Sequence, residues 1–317
     1  MKPEQKVLRL GSILIVGAIL LRLLGSNPLT AAGVARLVIF MQTGRLVSAE
    51  GPAVEITAPT EPVSVTVHTP QPASVSFSAE DAELVKVINT TSYQVDMEAL
   101  LTKALDWNLC SDEPTVLILH AHATESYAGT KNYRSEEEDQ NMLASGDRLE
   151  QLLENAGISV IHDRTLHDAP SYNGSYASAR TSMKEYLEKY PSIRLVLDLH
   201  RDAAEDAQGN QIGYTLSTEQ GEAAKMLMVV GTDAGGLTHP DWQDNMALAV
   251  KLHAQLQKEH PGICRSLQIR TSRFNQDLSP GALLVEVGSA GNTREEAMLA
   301  VEILAQAIIS LAYGANL

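Results

Sequence analysis

Apolar runs of strand length alternate with longer amphipathic stretches from residue 115 to the C-terminus. This alternation predicts an α/β fold, with an open, mostly parallel twisted sheet flanked by helices. The strands are predicted at 115–119, 158–162, 194–199, 226–230 and 282–287, and segments 211–216 and 267–271 can extend the sheet. Helices are predicted near 140–156, 174–190, 241–259 and 293–313. The last begins with Thr293 and Glu296, the spacing of a capping box.

The N-terminal region has a different pattern. Residues 1–10 are basic, and an apolar run over 11–24 is interrupted only by Ser12 and Arg22. A basic flank before an apolar run predicts a cytoplasmic N-terminus and a body outside the membrane. We therefore interpret 11–42 as a membrane anchor or uncleaved signal region. A cleaved signal peptide stays open, because small residues such as Ala31 and Ala32 are typical of a cleavage site.

Residues 43–84 are rich in Pro, Thr and Ser. Closely spaced prolines exclude a helix here and favour a semi-extended tether. These prolines are Pro52, Pro59, Pro62, Pro70 and Pro72. The domain prediction is therefore a cytoplasmic segment (1–10), an anchor (11–42), a tether (43–84) and one folded domain (85–317).

Charge separates the two ends of the chain. The net charge is -15, yet the first fifty residues hold six Lys or Arg and two Asp or Glu, which leaves 18 basic against 37 acidic residues in the remainder. Such an acidic body argues against a nucleic-acid partner, since phosphate binding needs clustered Lys and Arg. Two cysteines, Cys110 and Cys264, are too few for a Cys-rich zinc module. Whether they form a disulfide stays open.

Metal-binding and acidic residue types occur at three predicted strands. They are His120, His122 and Glu125 after the first strand, Asp198, His200, Arg201 and Asp202 at the end of the third, and Glu286 in the fifth. Open α/β sheets bind ligands at the carboxyl ends of their strands. We therefore expect these side chains to meet in one site.

A zinc hydrolase needs three protein ligands and one open position. His122, Glu125 and His200 are the predicted ligands. His120 is an alternative ligand or a hydrogen-bond partner of one, and Glu137 is an alternative carboxylate. We assume that the ion polarises the scissile carbonyl and lowers the pKa of a water molecule.

Two further residues are predicted to be catalytic. Glu286, a carboxylate inside an apolar run, is predicted to be the general base that moves a proton from water to the leaving amine. Arg201 can stabilise an oxyanion or bind a substrate carboxylate, and it can also pair with Asp198 or Asp202. His162 and His167 form a second histidine cluster that is predicted to line the cleft.

At these motifs the chain resembles the stage II sporulation protein P family, which is related to zinc-dependent N-acetylmuramoyl-L-alanine amidases. The resemblance runs from about residue 85 to the C-terminus. It is carried by LILHAHATESY, NYRSEEEDQN, HDRTLHDAPSYNGSY, LDLHRDA and FNQDLSPGALLVEVGSAGNTREEA, together with the anchor and the Pro-rich tether.

The resemblance implies the architecture of zinc muramoyl-alanine amidases and zinc carboxypeptidase-like hydrolases. It places metal chemistry on a histidine of the HAH segment, on His200 and on Glu286. In the wider amidase group the carboxylate ligand lies about fifteen residues after the first histidine, a spacing that Glu137 fits, whereas the His-x-x-Glu spacing favours Glu125.

The resemblance also implies a biological setting. It implies cleavage of peptidoglycan amides, with added endopeptidase activity, during septal thinning and engulfment in an endospore former. The expected partners are a glycan-cleaving protein of the stage II sporulation protein D type and a membrane scaffold of the stage II sporulation protein M type. Two rival hypotheses are an inactive peptidoglycan-binding scaffold and a zinc carboxypeptidase-like hydrolase of free peptides.

Overall fold

A computed structural model describes residues 76–313 of the chain. In this part of the chain, seven strands form one sheet in the order β1-β8-β7-β9-β4-β2-β3. Their bounds are β1 Val87–Asn89, β2 Val116–Leu119, β3 Val160–His162, β4 Leu195–Asp202, β7 Met226–Gly231, β8 Leu267–Arg270 and β9 Ala282–Ser289. All neighbouring pairs are parallel except β7 and β9. The predicted fold class is therefore confirmed.

Helices cover both faces of this sheet. They are α1 Met97–Thr102, α2 Met142–Asn155, α3 Ser175–Lys189, α4 Trp242–Glu259 and α5 Arg294–Tyr313. On β2, Leu117 packs with Ala179 of α3, whereas Ile118 joins the larger core that contains α2, α4 and α5. Successive strand residues point to opposite faces. Because both faces are covered, the central strands are continuous apolar runs rather than alternating ones.

The segment predicted at 211–216 does not extend the sheet. β5 (Thr215–Thr218) pairs antiparallel with β6 (Gly221–Ala224) in a separate two-stranded hairpin. Residues before β5 form a turn instead, in which Asp206 accepts hydrogen bonds from the backbone of Gln208 and Asn210. Side chains that bond nearby backbone in this way compete with strand pairing.

The structure describes the last part of the predicted tether. Residues 79–84, which we assigned to the tether, form a 3-10 helix, and Phe77 and Ala82 pack on the core. The predicted anchor and most of the tether lie outside the described residues. Within 76–313, α5 has the length and composition of a membrane span, but 61% of its most apolar window is buried in the domain. Cys110 and Cys264 are both free thiols.

Candidate active site

Three adjacent strands bring the candidate residues together. In the pairing of β4 with β9, His200 lies directly opposite Glu286, and in the pairing of β2 with β4, Leu119 lies opposite Asp198. His122 follows β2 by three residues. The parallel strands β2, β4 and β9 therefore deliver His122, His200 and Glu286 to the same edge of the sheet.

Glu125 lies beside His200. Its Oε2 atom is 3.4 Å from His200 Nδ1 and accepts a hydrogen bond of 3.2 Å from the backbone N–H of Arg201. Burial opposes ionisation of this carboxyl group, but His200 and Arg201 outweigh it and lower the pKa of Glu125. Glu125 is therefore an anion held next to a histidine, as a metal-binding carboxylate requires.

Arg201 holds the loop that carries Glu125. Its Nε donates to Ser126 O at 2.9 Å and a terminal nitrogen donates to Tyr133 O at 2.8 Å. Its other terminal nitrogen is 3.5 Å from Glu125 Oε1. The side chain is 7% exposed. A guanidinium that contacts two carbonyls and a carboxylate holds this loop in place, and the catalytic role of Arg201 stays a prediction.

His122 completes a face-to-edge arrangement of rings. Its ring centroid is 5.3 Å from that of His200 at an interplanar angle of 86°, and its ring stacks on Tyr172 at 4.3 Å and 5°. Asp168 Oδ2 lies 3.9 Å from His122 Nδ1. Burial, followed by the charge of His200, lowers the pKa of His122. The neutral imidazole, which is the form that binds metals, is therefore favoured.

Glu286 is the second carboxyl group of the site. The residue is half-buried, but its Oε2 is enclosed and makes no hydrogen bond within the described part of the chain. Burial raises the pKa of Glu286 to about 8, and the neighbouring Glu125 and Asp202 act in the same direction against the opposing charge of His200. A carboxyl group with a pKa near the working pH is suited to both accept and release a proton.

The donor types at this edge suit a metal ion, although the ligand atoms of His122, Glu125 and His200 do not all lie within 4.8 Å of one another. Three enclosed polar atoms at this edge have no hydrogen-bond partner among residues 76–313, namely His122 Nδ1, His200 Nε2 and Glu286 Oε2. His200 Nε2 is 2.9 Å from Asp198 Oδ1, but not along the line of an N–H···O hydrogen bond. Buried polar atoms without partners are costly. A cation bound by His122 and His200 would partner two of these atoms, and Glu125, whose Oε2 is 3.4 Å from His200 Nδ1, would supply a carboxylate.

The alternative ligands lie elsewhere. Glu137 is exposed and precedes a single 3-10 turn at Glu138–Gln140. Both ring nitrogens of His120 are engaged, with Nδ1 3.0 Å from Leu199 O and Nε2 2.8 Å from His162 Nε2. The structure therefore brings Glu125, rather than Glu137 or His120, to His200.

The second histidine cluster has mainly internal contacts. His167 lies 2.8 Å from Ser178 Oγ and 3.1 Å from Asp163 Oδ2, and His162 is buried against His120. Neither ring is exposed at the surface, since His162 is 8% and His167 is 5% exposed. The prediction that these histidines line the cleft is therefore wrong, because hydrogen bonds hold both rings inside the domain.

Sequence reasoning missed several residues around the site. Asp168 accepts hydrogen bonds from the backbone and hydroxyl of Thr124 and pairs with Arg134, which fixes the loop that carries His122. Tyr176 stacks near His200 at 6.3 Å and meets His122 edge-on at 5.3 Å. The only signal for Asp168 and Tyr176 was their place in the HDRTLHDAPSYNGSY motif.

Two open pockets flank the histidines. One, of about 450 Å³, is lined by Arg134, Asp168 and Tyr172 among others. The other, of about 410 Å³, is lined by Tyr176, Arg180 and Phe274 among others. Tyr172 contacts His122 and Tyr176 contacts both histidines, so each pocket borders a residue that touches the site.

Comparison with solved structures found similarity to N-acetylmuramoyl-L-alanine amidases. The N-acetylmuramoyl-L-alanine amidase AmiC2 of Nostoc punctiforme is 16% identical, with 62% of this chain and 96% of that chain covered and a TM-score of 0.39. An N-acetylmuramoyl-L-alanine amidase from Clostridium difficile 630 is 16% identical, with 63% and 95% covered and a TM-score of 0.39. The amidase Ami1 from Mycobacterium smegmatis is 13% identical, with 65% and 98% covered and a TM-score of 0.42.

The sequence comparisons are more specific. Stage II sporulation protein P of Bacillus subtilis (strain 168) is 24% identical over 274 residues, which is 81% of this chain, and the chain spans 65% of the length of that protein. The family model described as Stage II sporulation protein P (SpoIIP) matches residues 46–309. This match covers well over half of the chain and confirms the resemblance seen in the motifs, so the chain belongs to the stage II sporulation protein P family.

Proposed function

We propose that the protein is a zinc-dependent peptidoglycan hydrolase that cleaves the amide between N-acetylmuramic acid and L-alanine during septal thinning and engulfment. The observation that carries this proposal is the meeting of His122, Glu125, His200 and Glu286 at one strand edge, with three enclosed and unpartnered polar atoms. Family membership supports the peptidoglycan substrate and the sporulation setting.

The ligand set would be His122, Glu125 and His200. When bound, zinc polarises the scissile carbonyl and makes water a stronger nucleophile. The chain prepares this set before the ion arrives: Arg201 orients Glu125 through its backbone N–H, and Tyr172 stacks on the ring of His122. Outer contacts of this kind orient ligands and raise metal affinity.

Glu286 would move the proton. As a carboxylate it accepts the proton of the attacking water on Oε2, and as a carboxylic acid it donates this proton to the departing amine nitrogen of L-alanine. The same group therefore serves both halves of the reaction, and its raised pKa of about 8 makes both proton positions accessible near neutral pH.

The surroundings of the site suit a polymeric substrate. Pockets of about 450 and 410 Å³ border Tyr172 and Tyr176, which contact the histidines, and they would offer room for a glycan strand and a stem peptide. The predicted anchor at 11–42 would hold the domain outside the membrane, at the forespore septum. Partners of the sporulation protein D and M types belong to the same proposal.

The test compares the full-length protein in detergent with its Glu286→Gln variant on purified peptidoglycan. We expect Glu286→Gln to lower the release of free stem peptides by about 10²- to 10⁴-fold while bound zinc stays unchanged. Mass spectrometry of the released fragments identifies the bond, and metal analysis counts the zinc. Glu188→Gln, at an exposed position of α3, is the matched control.

Each outcome of this experiment is decisive. Cleavage by wild type and Glu188→Gln but not by Glu286→Gln supports the proposal. Equal release by all three proteins would show that Glu286 is not the proton carrier. Binding of peptidoglycan without release of fragments by any of them would favour the scaffold hypothesis.

A further inference from the structure

A second cluster of metal-type donors lies on the α2 side of the sheet, separate from His122 and His200. Asp147 and Glu150 are three residues apart on α2 and therefore share a face of the helix. They meet His162, which ends β3. Within residues 76–313, these three side chains form the one group of His, Cys, Asp or Glu donors whose ligand atoms all lie within 4.8 Å of one another.

The imidazole of His162 points into the two carboxylates. Its Nδ1 is 3.0 Å from Asp147 Oδ1 and 3.6 Å from Glu150 Oε2. The side chain of His162 is completely buried, whereas those of Asp147 and Glu150 are 45% and 20% exposed. Despite these short distances, His162 Nδ1 makes no hydrogen bond with any of the described residues.

The direction of the hydrogen bonds explains this unpartnered atom. Leu199 O can only accept, so His120 Nδ1 carries a proton and donates to it at 3.0 Å. His120 Nε2 then accepts from His162 Nε2 at 2.8 Å, which leaves a lone pair on His162 Nδ1. Burial lowers the pKa of His162 to about 4, in agreement with a neutral ring.

Three acceptors therefore face one another: a nitrogen lone pair and two carboxylates. Arg164 supplies the positive charge in this structure, since its guanidinium contacts Asp147 and also Glu150 at 2.9 Å. It leaves the lone pair of His162 unpartnered. The side chain of Arg164 is 46% exposed, so it can move into solvent without breaking the core.

We propose that Asp147, Glu150 and His162 form a second divalent-cation site, distinct from the catalytic one, which a cation occupies by displacing Arg164. One imidazole and two carboxylates with open positions for water suit zinc, manganese or cobalt. The bound ion would join α2 to the end of β3. Its buried ligand also contacts His120, two residues before the candidate catalytic ligand His122.

The first test counts bound zinc. Full-length protein in detergent is stripped of metal and equilibrated with Zn²⁺ alone, and the metal per chain is measured. We expect two ions for wild type and for Glu154→Gln, an exposed position on the same helix. We expect one ion for the double variant Asp147→Asn/Glu150→Gln. Circular dichroism and thermal unfolding show that each variant is folded.

The second test uses the competing guanidinium. Arg164→Ala should tighten binding of the second Zn²⁺ by about fivefold, since an exposed ion pair of this kind is worth up to about that factor. Adventitious binding elsewhere on the acidic surface would not respond to Arg164. An unchanged affinity in Arg164→Ala, together with unchanged stoichiometry in the double variant, overturns the proposal.

Failure of this inference can be distinguished from failure of the proposed function. If wild type binds one zinc, and His200→Ala removes it but the double variant does not, the second site is absent and the catalytic site stands. If the double variant removes the single zinc and His200→Ala keeps it, the second site stands and the catalytic zinc does not.

Discussion

Two groups of histidines and carboxylates lie near each other but differ in how their atoms are partnered. We call them the catalytic group, consisting of His122, Glu125, His200 and Glu286, and the loop group, consisting of Asp163, His167 and Asp168. In the catalytic group, His122 Nδ1, His200 Nε2 and Glu286 Oε2 lack partners among residues 76–313. In the loop group, both ring nitrogens of His167 have hydrogen-bond partners: Nδ1 contacts Ser178 Oγ and Nε2 contacts Asp163 Oδ2.

Residue type alone therefore does not separate a reactive site from a structural one. HDRTLHD holds two histidines and two acids, as the catalytic group does, yet Asp163, His167 and Asp168 use their hydrogen-bonding capacity within the domain. Satisfied buried polar groups stabilise a fold, whereas buried atoms left unpartnered indicate a missing ligand. The predictions below test this difference, from the largest expected effect to the smallest.

The strongest test is a pair of equivalent substitutions. His200→Ala should remove the catalytic zinc and lower peptidoglycan cleavage by more than about 100-fold, because even residues that only support metal ligands cost about 10- to 100-fold. His167→Ala should leave cleavage unchanged and lower the free energy of unfolding by about 1–3 kcal/mol, since it removes the partner of the buried Asp163 Oδ2. Fragment release and chemical denaturation measure the two effects. A large loss of cleavage in a folded His167→Ala protein would contradict the distinction.

Arg201→Lys tests the positioning role of Arg201. Lysine cannot reproduce the two directed bonds to Ser126 O and Tyr133 O. We expect zinc affinity and cleavage to fall together by about 10- to 100-fold, with restored cleavage at saturating zinc. A loss of kcat that excess zinc does not restore would instead indicate direct contact with the substrate.

Asp277 lies in a second cluster whose charged groups are fully paired within the domain. Its carboxylate forms a paired contact with Arg180 at 2.8 and 2.6 Å, and Arg273 is 3.2 Å away. Burial opposes ionisation, but Arg180 and Arg273 outweigh it and lower the pKa of Asp277.

A lowered pKa means that this carboxylate stabilises the fold fully above its ordinary range near pH 4 and loses that contribution as the pH falls below it. Asp277→Asn should cost about 1.5–3 kcal/mol of unfolding free energy at pH 7, with a smaller difference from wild type at pH 3. Denaturation at both pH values measures this change. A difference that stays constant with pH would show that the charge of Asp277 is not responsible.

Tyr172 gives the smallest expected effect. Its ring stacks on His122 and lies under Arg134 at 4.8 Å, and the side chain is 52% exposed. Tyr172→Ala should raise KM by about three- to tenfold with little change in kcat, whereas Tyr172→Phe keeps the ring and should match wild type. Steady-state cleavage rates measure KM and kcat for both variants. An equal rise of KM in Tyr172→Ala and Tyr172→Phe would show that the hydroxyl group, and not the ring, is responsible.

The sequence predicted secondary structure well where a hydrophobic pattern extends over many consecutive residues. The buried runs of β2, β4 and β9 and the helices α2 to α5 follow from the apolar pattern, and the strand ends indicated the sheet edge at which His200 and Glu286 lie opposite each other. β1 and α1 have only three and six residues, too few for a periodic pattern. The hairpin of β5 and β6 was missed because its partner strand is a short GEAA segment.

Contacts between distant segments could not be predicted. Asp168 holds Thr124 across 44 residues, and Arg201 holds Ser126 across 75. No spacing in the sequence indicates such pairs, and so the contacts of Arg201 with the loop could not be predicted. The choice between Glu125 and Glu137 depended on the same kind of information, since Glu125 was preferred for its spacing and the structure supplies its proximity to His200.

Gly146 lies at a position of α2 where no β-carbon fits. A β-carbon at this position would lie 2.7 Å from His120 Nε2 and closer still to His162 Nε2. In an isolated helix, alanine is favoured over glycine by about 1 kcal/mol. In the folded protein the preference is reversed, because two imidazole rings occupy the volume that the methyl group of alanine needs. Gly146→Ala would therefore stabilise the isolated helix but destabilise the folded protein. The absence of a side chain at Gly146 allows His120, which follows β2, to contact His162 at the end of β3 beneath α2.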